Sequence, residues 1–447
     1  MNPDTTDLQS PAESASAESK LFLVTSLVFL VLACLMLAGR PGFLLTPVLT
    51  GHGFSWLLLM LYGCGLSGIF GLVYRAFPKI FDVPLLSPKF VYLHYGFHIA
   101  GTLMAIASVL WADAQRAQMA TTFLAAGALI FVINLGGAFR NPSRPDVGRA
   151  YLAASMVWLV IMAFLGLPFA PEAPLPSLRG TDWSAAWLVF CFAGVVLNTL
   201  MGLSLRVAPK SLNIPEARSG TSWYALIFSN AGLAWMFPAI AFRSMGFLIL
   251  CAALYLVGTL LYLAAFLSQI QSRPKTSLPW DAKILVTSFW TVPVLACLLL
   301  VAAKARMIPA VAPVEGALPP PEPTGPLPVD FLPVDGALLL TTILAVMAPS
   351  VVALAFQFIR MDKPATSDPA SRERLPELIL LAAYFNYATG VLLVIPGAWA
   401  GIDRIVSLGT IFLLVGTLGF LGNFFYSQSA KRQKNPGICP PETVPTA

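Results

Sequence analysis

The stretch GFSWLLLMLYGCGLSGIFGLVYRA, residues 53–76, runs for 24 residues with a single charged side chain, Arg75, close to its end. A helix crosses the roughly 30 Å hydrocarbon core of a bilayer with about 20 mostly apolar residues. The stretch therefore has the length and composition of a membrane span. Lys79 and Lys89 follow it before the next apolar run begins. Working outward, eleven further segments read the same way: 21–38, 90–112, 119–136, 149–169, 183–206, 220–242, 246–270, 283–303, 336–359, 375–400 and 405–428.

The basic residues between these segments orient them. The stretches after spans 2, 4, 6, 8, 10 and 12 carry 19 of the 27 Lys and Arg; those after the odd-numbered spans carry 7, and Lys20 precedes span 1. Positively charged loops stay in the cytoplasm. An alternation this regular would break if one span were miscounted. The expectation is an all-α integral membrane protein of twelve transmembrane helices with N- and C-termini cytoplasmic.

Composition agrees. Of 447 residues, 57% are hydrophobic and 11% charged, too few charges to coat a soluble domain. The net charge of +6 is spread over the inter-span stretches and forms no patch, so no nucleic-acid partner is expected; the lipid bilayer is. Residues 1–20 are polar and net acidic, unlike the basic start of a cleaved signal peptide, and read as a disordered cytoplasmic tail ahead of an uncleaved first span. Residues 21–428 form one membrane domain and 429–447 a second cytoplasmic tail. Residues 304–335 hold nine prolines and the echo Leu327–Asp330 and Leu332–Asp335, a semi-rigid external connector.

Polar residues inside the spans are few. Asp113, Asp182, Arg243 and Glu377 fall at span ends, and no span interior is expected to hold an ionised group. Five asparagines, Asn134, Asn198, Asn230, Asn386 and Asn423, are read as interhelical hydrogen-bonding groups or, with Trp223, Tyr384 and Tyr387, as the lining of a solute path. Small residues four apart, Gly63, Ser67 and Gly71 or Gly194, Asn198 and Gly202, mark faces where helices approach closely. The six cysteines show no metal spacing and read as small apolar packing groups. His94 and His98 lie one turn apart near the cytoplasmic end of span 3, with a structural or interfacial role expected and no third metal ligand nearby. His52, between Gly51 and Gly53, lies at the external mouth of span 2.

Two stretches resemble a known family. His52, Gly63, Gly71, Tyr74, Arg75 and Pro78 resemble helix 2 of subunit I of the haem-copper oxidases, and Ala208-Pro209-Lys210 with Trp223 to Phe228 is similar to the entry of helix 7 in its cytochrome-c-oxidising C-family and the related nitric oxide reductases. The resemblance implies a twelve-helix fold, a helix 2 histidine on a low-spin haem, and further histidines in helices 6, 7 and 10. Spans 6, 7 and 10 contain none, and the stretch after Phe228 reads Ser229 to Phe237 where copper ligands would stand. This implies a degenerate member without the oxygen-reducing metal centre, an accessory or haem-handling component of a bacterial inner-membrane respiratory chain. His52 with Met347 of span 10 would be the remaining axial pair, and His94 and His98 the other cofactor-binding candidates; no metal site and no stoichiometric haem are expected. The alternative reading is a secondary transporter of a neutral or apolar solute.

The orientation is testable by labelling intact cells with an impermeant maleimide. Thr324→Cys should react and Ser371→Cys should not; the reverse pattern would invert the topology.

Overall fold

The computed structural model describes residues 11–40, 51–81, 83–136, 139, 146–166, 187–214, 220–242, 244–272, 278–305, 343–361, 374–399 and 402–434. They contain helices and no strand. Twelve helical segments result. These are α1 (Pro11–Gly39), α2 (Gly51–Leu58, Leu59–Leu66 and Ser67–Ile80, continuous), α3 (Pro88–Leu110), α4 (Ala114–Gly136), α5 (Val147–Leu165) and α6 (187–189, Phe190–Leu197 and Asn198–Leu212, continuous). The second half adds α7 (Gly220–Ala241), α8 (Met245–Gln271), α9 (Trp280–Ala305), α10 (Ile343–Met347 and Ala348–Met361), α11 (Arg374–Trp399) and α12 (Asp403–Lys434). Each overlaps one of the twelve expected spans. Nine are long and apolar enough to cross a membrane among the described residues.

Two expectations at the ends change. The first helix begins at Pro11, so residues 11–20 are helical instead of a disordered tail, and α12 runs on to Lys434 into the expected C-terminal tail. The proline-rich connector, apart from Lys304 and Ala305 at the end of α9, lies outside the described residues.

Local chemistry sets several boundaries. The Asp146 carboxylate accepts from Gly148 and Arg149 N–H at the start of α5, and the Ser244 hydroxyl accepts from Phe247 N–H at the start of α8. Pro88 occupies the first turn of α3, where its missing N–H costs nothing. Asn213 in the left-handed region (φ 54°) ends α6.

Burial divides the helices into two classes. The apolar windows of α2 and α6 are 100% and 94% buried, and Leu344–Ile359 of α10 is buried almost throughout, whereas the other candidate spans are 33–50% buried. The outer helices expose Leu32, Ile133, Val157, Phe164, Ile227 and Leu392, as lipid-facing surfaces do. The inner three pack on one another through segments of π-helix, Leu59–Leu66, Phe190–Leu197 and Ile343–Met347.

Around this centre the contacts repeat three times. Helices α1, α5 and α9 lie against α2, α6 and α10, and α3/α4, α7/α8 and α11/α12 form tight hairpins. Contacts of α4 with α5, α8 with α9 and α12 with α1 close the ring. The protein is thus built from three four-helix units. The sequence carries the same repeat: residues 56–79 and 187–210, 131 positions apart, share Trp56/Trp187, Leu57/Leu188, Gly63/Gly194, Leu66/Leu197, Gly71/Gly202, Leu72/Leu203, Arg75/Arg206, Pro78/Pro209 and Lys79/Lys210. In the last helix of each unit, Gly127, Gly258 and Gly416 are each followed four residues later by an aromatic ring: Phe131, Tyr262 and Phe420.

These glycines are contact points. A Cβ on Gly258 would stand 2.5 Å from Ser229 N, one on Gly416 2.6 Å from Tyr387 N, and one on Gly202 2.8 Å from Gly148 O. The neighbour in each case is backbone, which cannot swing aside. Close approach of this kind replaces the hydrophobic drive that lipid cannot supply. Gly258→Ala should therefore cost about 1–3 kcal/mol through overpacking, whereas Gly96→Ala, with nothing within 4 Å of the new Cβ, should stay within about 0.5 kcal/mol. Unfolding of the purified variants in detergent measures both.

Candidate functional site

The 3.6-residue period puts His94 and His98 on one face of α3, and that face turns inward. Both imidazoles are buried, at 0% and 3% exposure, inside the first four-helix unit. The interfacial role expected for them is thereby corrected: they are core groups. Phe22 of α1, Phe70 of α2 and Phe131 of α4 surround His94, with ring centroids 5.1, 4.5 and 5.3 Å away. Gly127 of α4 leaves the room: a Cβ there would sit 3.4 Å from His94 Cδ2.

The polar contacts are specific. His94 Nδ1 lies 2.9 Å from the Tyr74 hydroxyl of α2, while His94 Nε2 is buried with no hydrogen-bond partner. Glu18 is 4% exposed and its Oε2 has no hydrogen-bond partner either. His98 Nε2 is 3.1 Å from the Tyr62 carbonyl and 3.0 Å from Ser67 Oγ. A carbonyl only accepts, so His98 carries its proton on Nε2. The Tyr62 carbonyl lies in the π segment of α2 and receives Ser67 N–H and Ser67 Oγ as well. Beyond it the Tyr62 side chain lines a cavity of about 30 Å³ shared with Thr121, Met162 and Cys191, large enough for about two waters.

The other expected ligands fall elsewhere. His52 is exposed and 3.3 Å from Arg40 Nη1. Met347 is fully buried, with its thioether seated where a Cβ of Gly65 would be. Thirteen residues separate His52 from Gly65, about 20 Å of helix rise, so His52 and Met347 cannot hold opposite sides of one iron in this arrangement. The Met347 thioether fills the gap against Gly65 and leaves no space there for a macrocycle. His94 and His98 do not fit haem either, since aromatic rings occupy the volume beside them. Among the described residues no group of three or more His, Cys, Asp or Glu could hold a metal ion.

The corresponding core of the second unit is filled differently. Asn198 aligns with Ser67, each directly following its π segment, and Asn230 of α7 meets Asn198 as His98 meets Ser67. Asn198 Nδ2 donates to Asn230 Oδ1 at 2.9 Å, and Trp158 Nε1 donates to the same oxygen at 2.8 Å. Trp158, Phe190 and Phe237 stack beside them. The remaining asparagines do not join a path. Asn134 accepts from Ser87 N–H in the first unit, Asn423 donates to Pro376 O in the third, and Asn386 bonds within its own helix. Trp223 is 37% exposed, and Tyr387 donates to Leu344 O in the π segment of α10.

Sequence reasoning missed Tyr74 and Ser67 as partners of the histidines, and missed that Arg75, near the end of its span, is buried, 4% exposed with its guanidinium 5.7 Å from the centre of the Phe358 ring. It also left Asp281, 1% exposed in the first turn of α9, unremarked. The 131-residue repeat is the signal that aligns Ser67 with Asn198.

Asn230→Ala should cost about 1–3 kcal/mol, because Trp158 Nε1 and Asn198 Nδ2 lose one buried acceptor, while His52→Ala at its exposed position should stay within about 0.5 kcal/mol; thermal unfolding of both variants is the check. Comparison of the chain with models of known protein families finds no match, and comparison with curated proteins finds none either.

Proposed function

We propose that this is a twelve-span, oxidase-subunit-I-like protein of a bacterial inner membrane with both termini cytoplasmic, and that it serves as a non-catalytic accessory component of respiratory electron transport. The observation that carries this reading is the filling of the second unit. At the positions where the resemblance calls for helix 6 and helix 7 metal ligands, the Asn198, Asn230 and Trp158 hydrogen bonds and the Trp158, Phe190 and Phe237 stack occupy the space. A metal centre replaced by a satisfied, close-packed plug keeps the architecture and drops the redox chemistry.

The twelve helices at the expected positions, closed into a ring around α2, α6 and α10, support the span count, and the alternation of basic loops supports the orientation. The partners in this reading are other respiratory-complex subunits at the ring's outer surface. Of the two roles the resemblance implies, the accessory one is favoured, because the His52 and Met347 positions do not converge on a haem. The carrier alternative is disfavoured by the dispersal of its polar residues over three separate units.

The expected outcome is a purified chain without stoichiometric haem by pyridine haemochrome assay, without oxygen or nitric oxide reduction, that co-purifies with an oxidase complex from cross-linked membranes. About one haem per chain, lost in His52→Ala, would overturn the non-catalytic accessory reading in favour of haem handling. Recovery of the chain free of any respiratory subunit would overturn the partnership.

A further inference from the structure

Of the five asparagines within spans, four meet another helix: Asn198 and Asn230 bond each other, Asn134 accepts from Ser87 N–H and Asn423 donates to Pro376 O. Asn386 of α11 does not. Its Nδ2 donates to Ala382 O of its own helix at 2.8 Å, and among the described residues its second N–H and its Oδ1 make no hydrogen bond. The rotation of α11 is fixed by its inner side. Tyr387, the next residue, turns inward to Leu344 O, and a Cβ on Gly390 would stand 2.6 Å from Leu413 N of α12. The opposite side, Ala382, Phe385, Asn386, Thr389 and Leu392, forms a stripe on the outer wall, with Phe385 57% and Leu392 71% exposed, Ala382 and Thr389 exposed and Asn386 partly so.

Depth makes this amide costly. Asn386 stands twelve residues after Arg374 and thirteen before Trp399, at the middle of the helix. That is about 18–20 Å of rise from either end, the centre of a bilayer whose hydrocarbon is about 30 Å thick. Neither water nor the rest of the chain meets the amide there. Thr389, one turn on, is exposed and its hydroxyl also makes no hydrogen bond, whereas the exposed Thr122 of α4 and Thr287 of α9 return theirs to Gln118 O and Lys283 O of their own helices. Unmet amides and hydroxyls at this depth call for a polar group from another membrane helix, because lipid offers none.

We infer that this outer stripe of α11 is a dimer interface, against which a second copy of the chain lays its own α11 in parallel. Two copies inserted in the same sense are related by a twofold axis along the membrane normal, and such an axis sets each residue opposite itself at its own depth. Asn386 then faces Asn386 of the partner subunit. A carboxamide is self-complementary: the free Nδ2 hydrogen of each donates to the Oδ1 of the other, which satisfies both amides while the remaining hydrogen stays on Ala382 O. Ala382, four residues before, and Thr389, three after, are short enough to let the two backbones approach. The ring of helices closes within one chain, so pairing adds to the fold and does not complete it. The pairing is independent of the proposed respiratory partnership and of which membrane face the termini lie on.

Cross-linking and dilution test it together. Oxidation with copper phenanthroline in native membranes should join Thr389→Cys chains into disulfide dimers and leave Val157→Cys chains, substituted at an exposed position of α5, monomeric; the wild-type chain gives the blank for its own cysteines. In liposomes, energy transfer between two labelled populations over a range of protein-to-lipid ratios reads the dimer fraction. Dimer affinity should fall about tenfold in Asn386→Leu, which removes both interchain bonds, and stay near the wild-type value in Asn386→Gln, which keeps the amide. The thermal melt of Asn386→Leu should not change, since the leucine faces lipid, and the Thr389→Cys readout stands even if that variant fails to fold. Cross-linking of Thr389→Cys only to a different protein, a wild-type chain monomeric at every ratio, or Asn386→Leu pairing as tightly as wild type would each overturn the dimer.

Discussion

The structure turns on the need to satisfy main-chain carbonyls that widened helical turns release in a place without water. A π turn shifts the backbone ladder by one residue and leaves carbonyls badly served by their own helix. In lipid an unmet carbonyl costs several kcal/mol, and no solvent is at hand to meet it. Here the three π segments lie at the centre of the molecule, on the three helices with the least access to anything else. Each recruits side chains. Ser26 of α1 donates to Cys64 O, and Ser67 and His98 serve Tyr62 O. Ser155 of α5 donates to Val195 O, which Thr199 also serves, while Asn198 donates to Gly194 O. In the third unit the Tyr387 hydroxyl reaches Leu344 O from α11.

That requirement explains why polar residues sit where they do in each unit. In the first unit a hydroxyl on the first helix, Ser26, and a donor on the third, His98, converge on the second, and across the three units glycines at Gly71, Gly202, Gly127, Gly258 and Gly416 bring the backbones close. The repeated positions are the ones that do this work, and the lipid-facing positions have drifted. Ser26 and Ser155 retain the same hydroxyl and the same π-segment target. The group on the third helix differs between units: His98 and Tyr387 donate to a π-segment carbonyl, whereas Asn230 accepts from Asn198.

The helices were legible because long apolar runs survive any packing detail: among the described residues nine helices are long and apolar enough to cross a membrane. The inner and outer classes were not legible in the same way. Hydropathy treats lipid and protein interior alike, so the wholly buried run from Phe54 to Phe77 reads much as the half-exposed α12 does. The repeat was present in plain sight at Trp56 and Trp187 or Arg75 and Arg206, but its period of 131 residues spans four helices. The histidines were found and their partners were not. Spacing along one helix identifies a face without saying which neighbour that face meets, and Tyr74 and Ser67 come from another helix. Met347 was misjudged as a ligand for the same reason: its depth against Gly65 follows from packing between the first and third units, on which the sequence near Met347 is silent.

What distinguishes the first unit is that its answer to the carbonyl demand exceeds the demand. Ser67 alone would serve Tyr62 O, as Asn198 alone serves Gly194 O. His98 adds a second donor to one carbonyl, and His94, one turn away, serves no carbonyl at all. The second unit carries an alanine at the matching position, Ala225, 131 residues further on. Interhelical hydrogen bonds in membranes average only about 0.6 kcal/mol, so the single bond from His94 to Tyr74 does not offset an unmet Nε2 costing about 1–3 kcal/mol. Stability alone therefore does not account for an imidazole at this position. His94 is a costly residue at a position where the second unit carries only a methyl side chain, and a wall of Phe22, Phe70 and Phe131 encloses it.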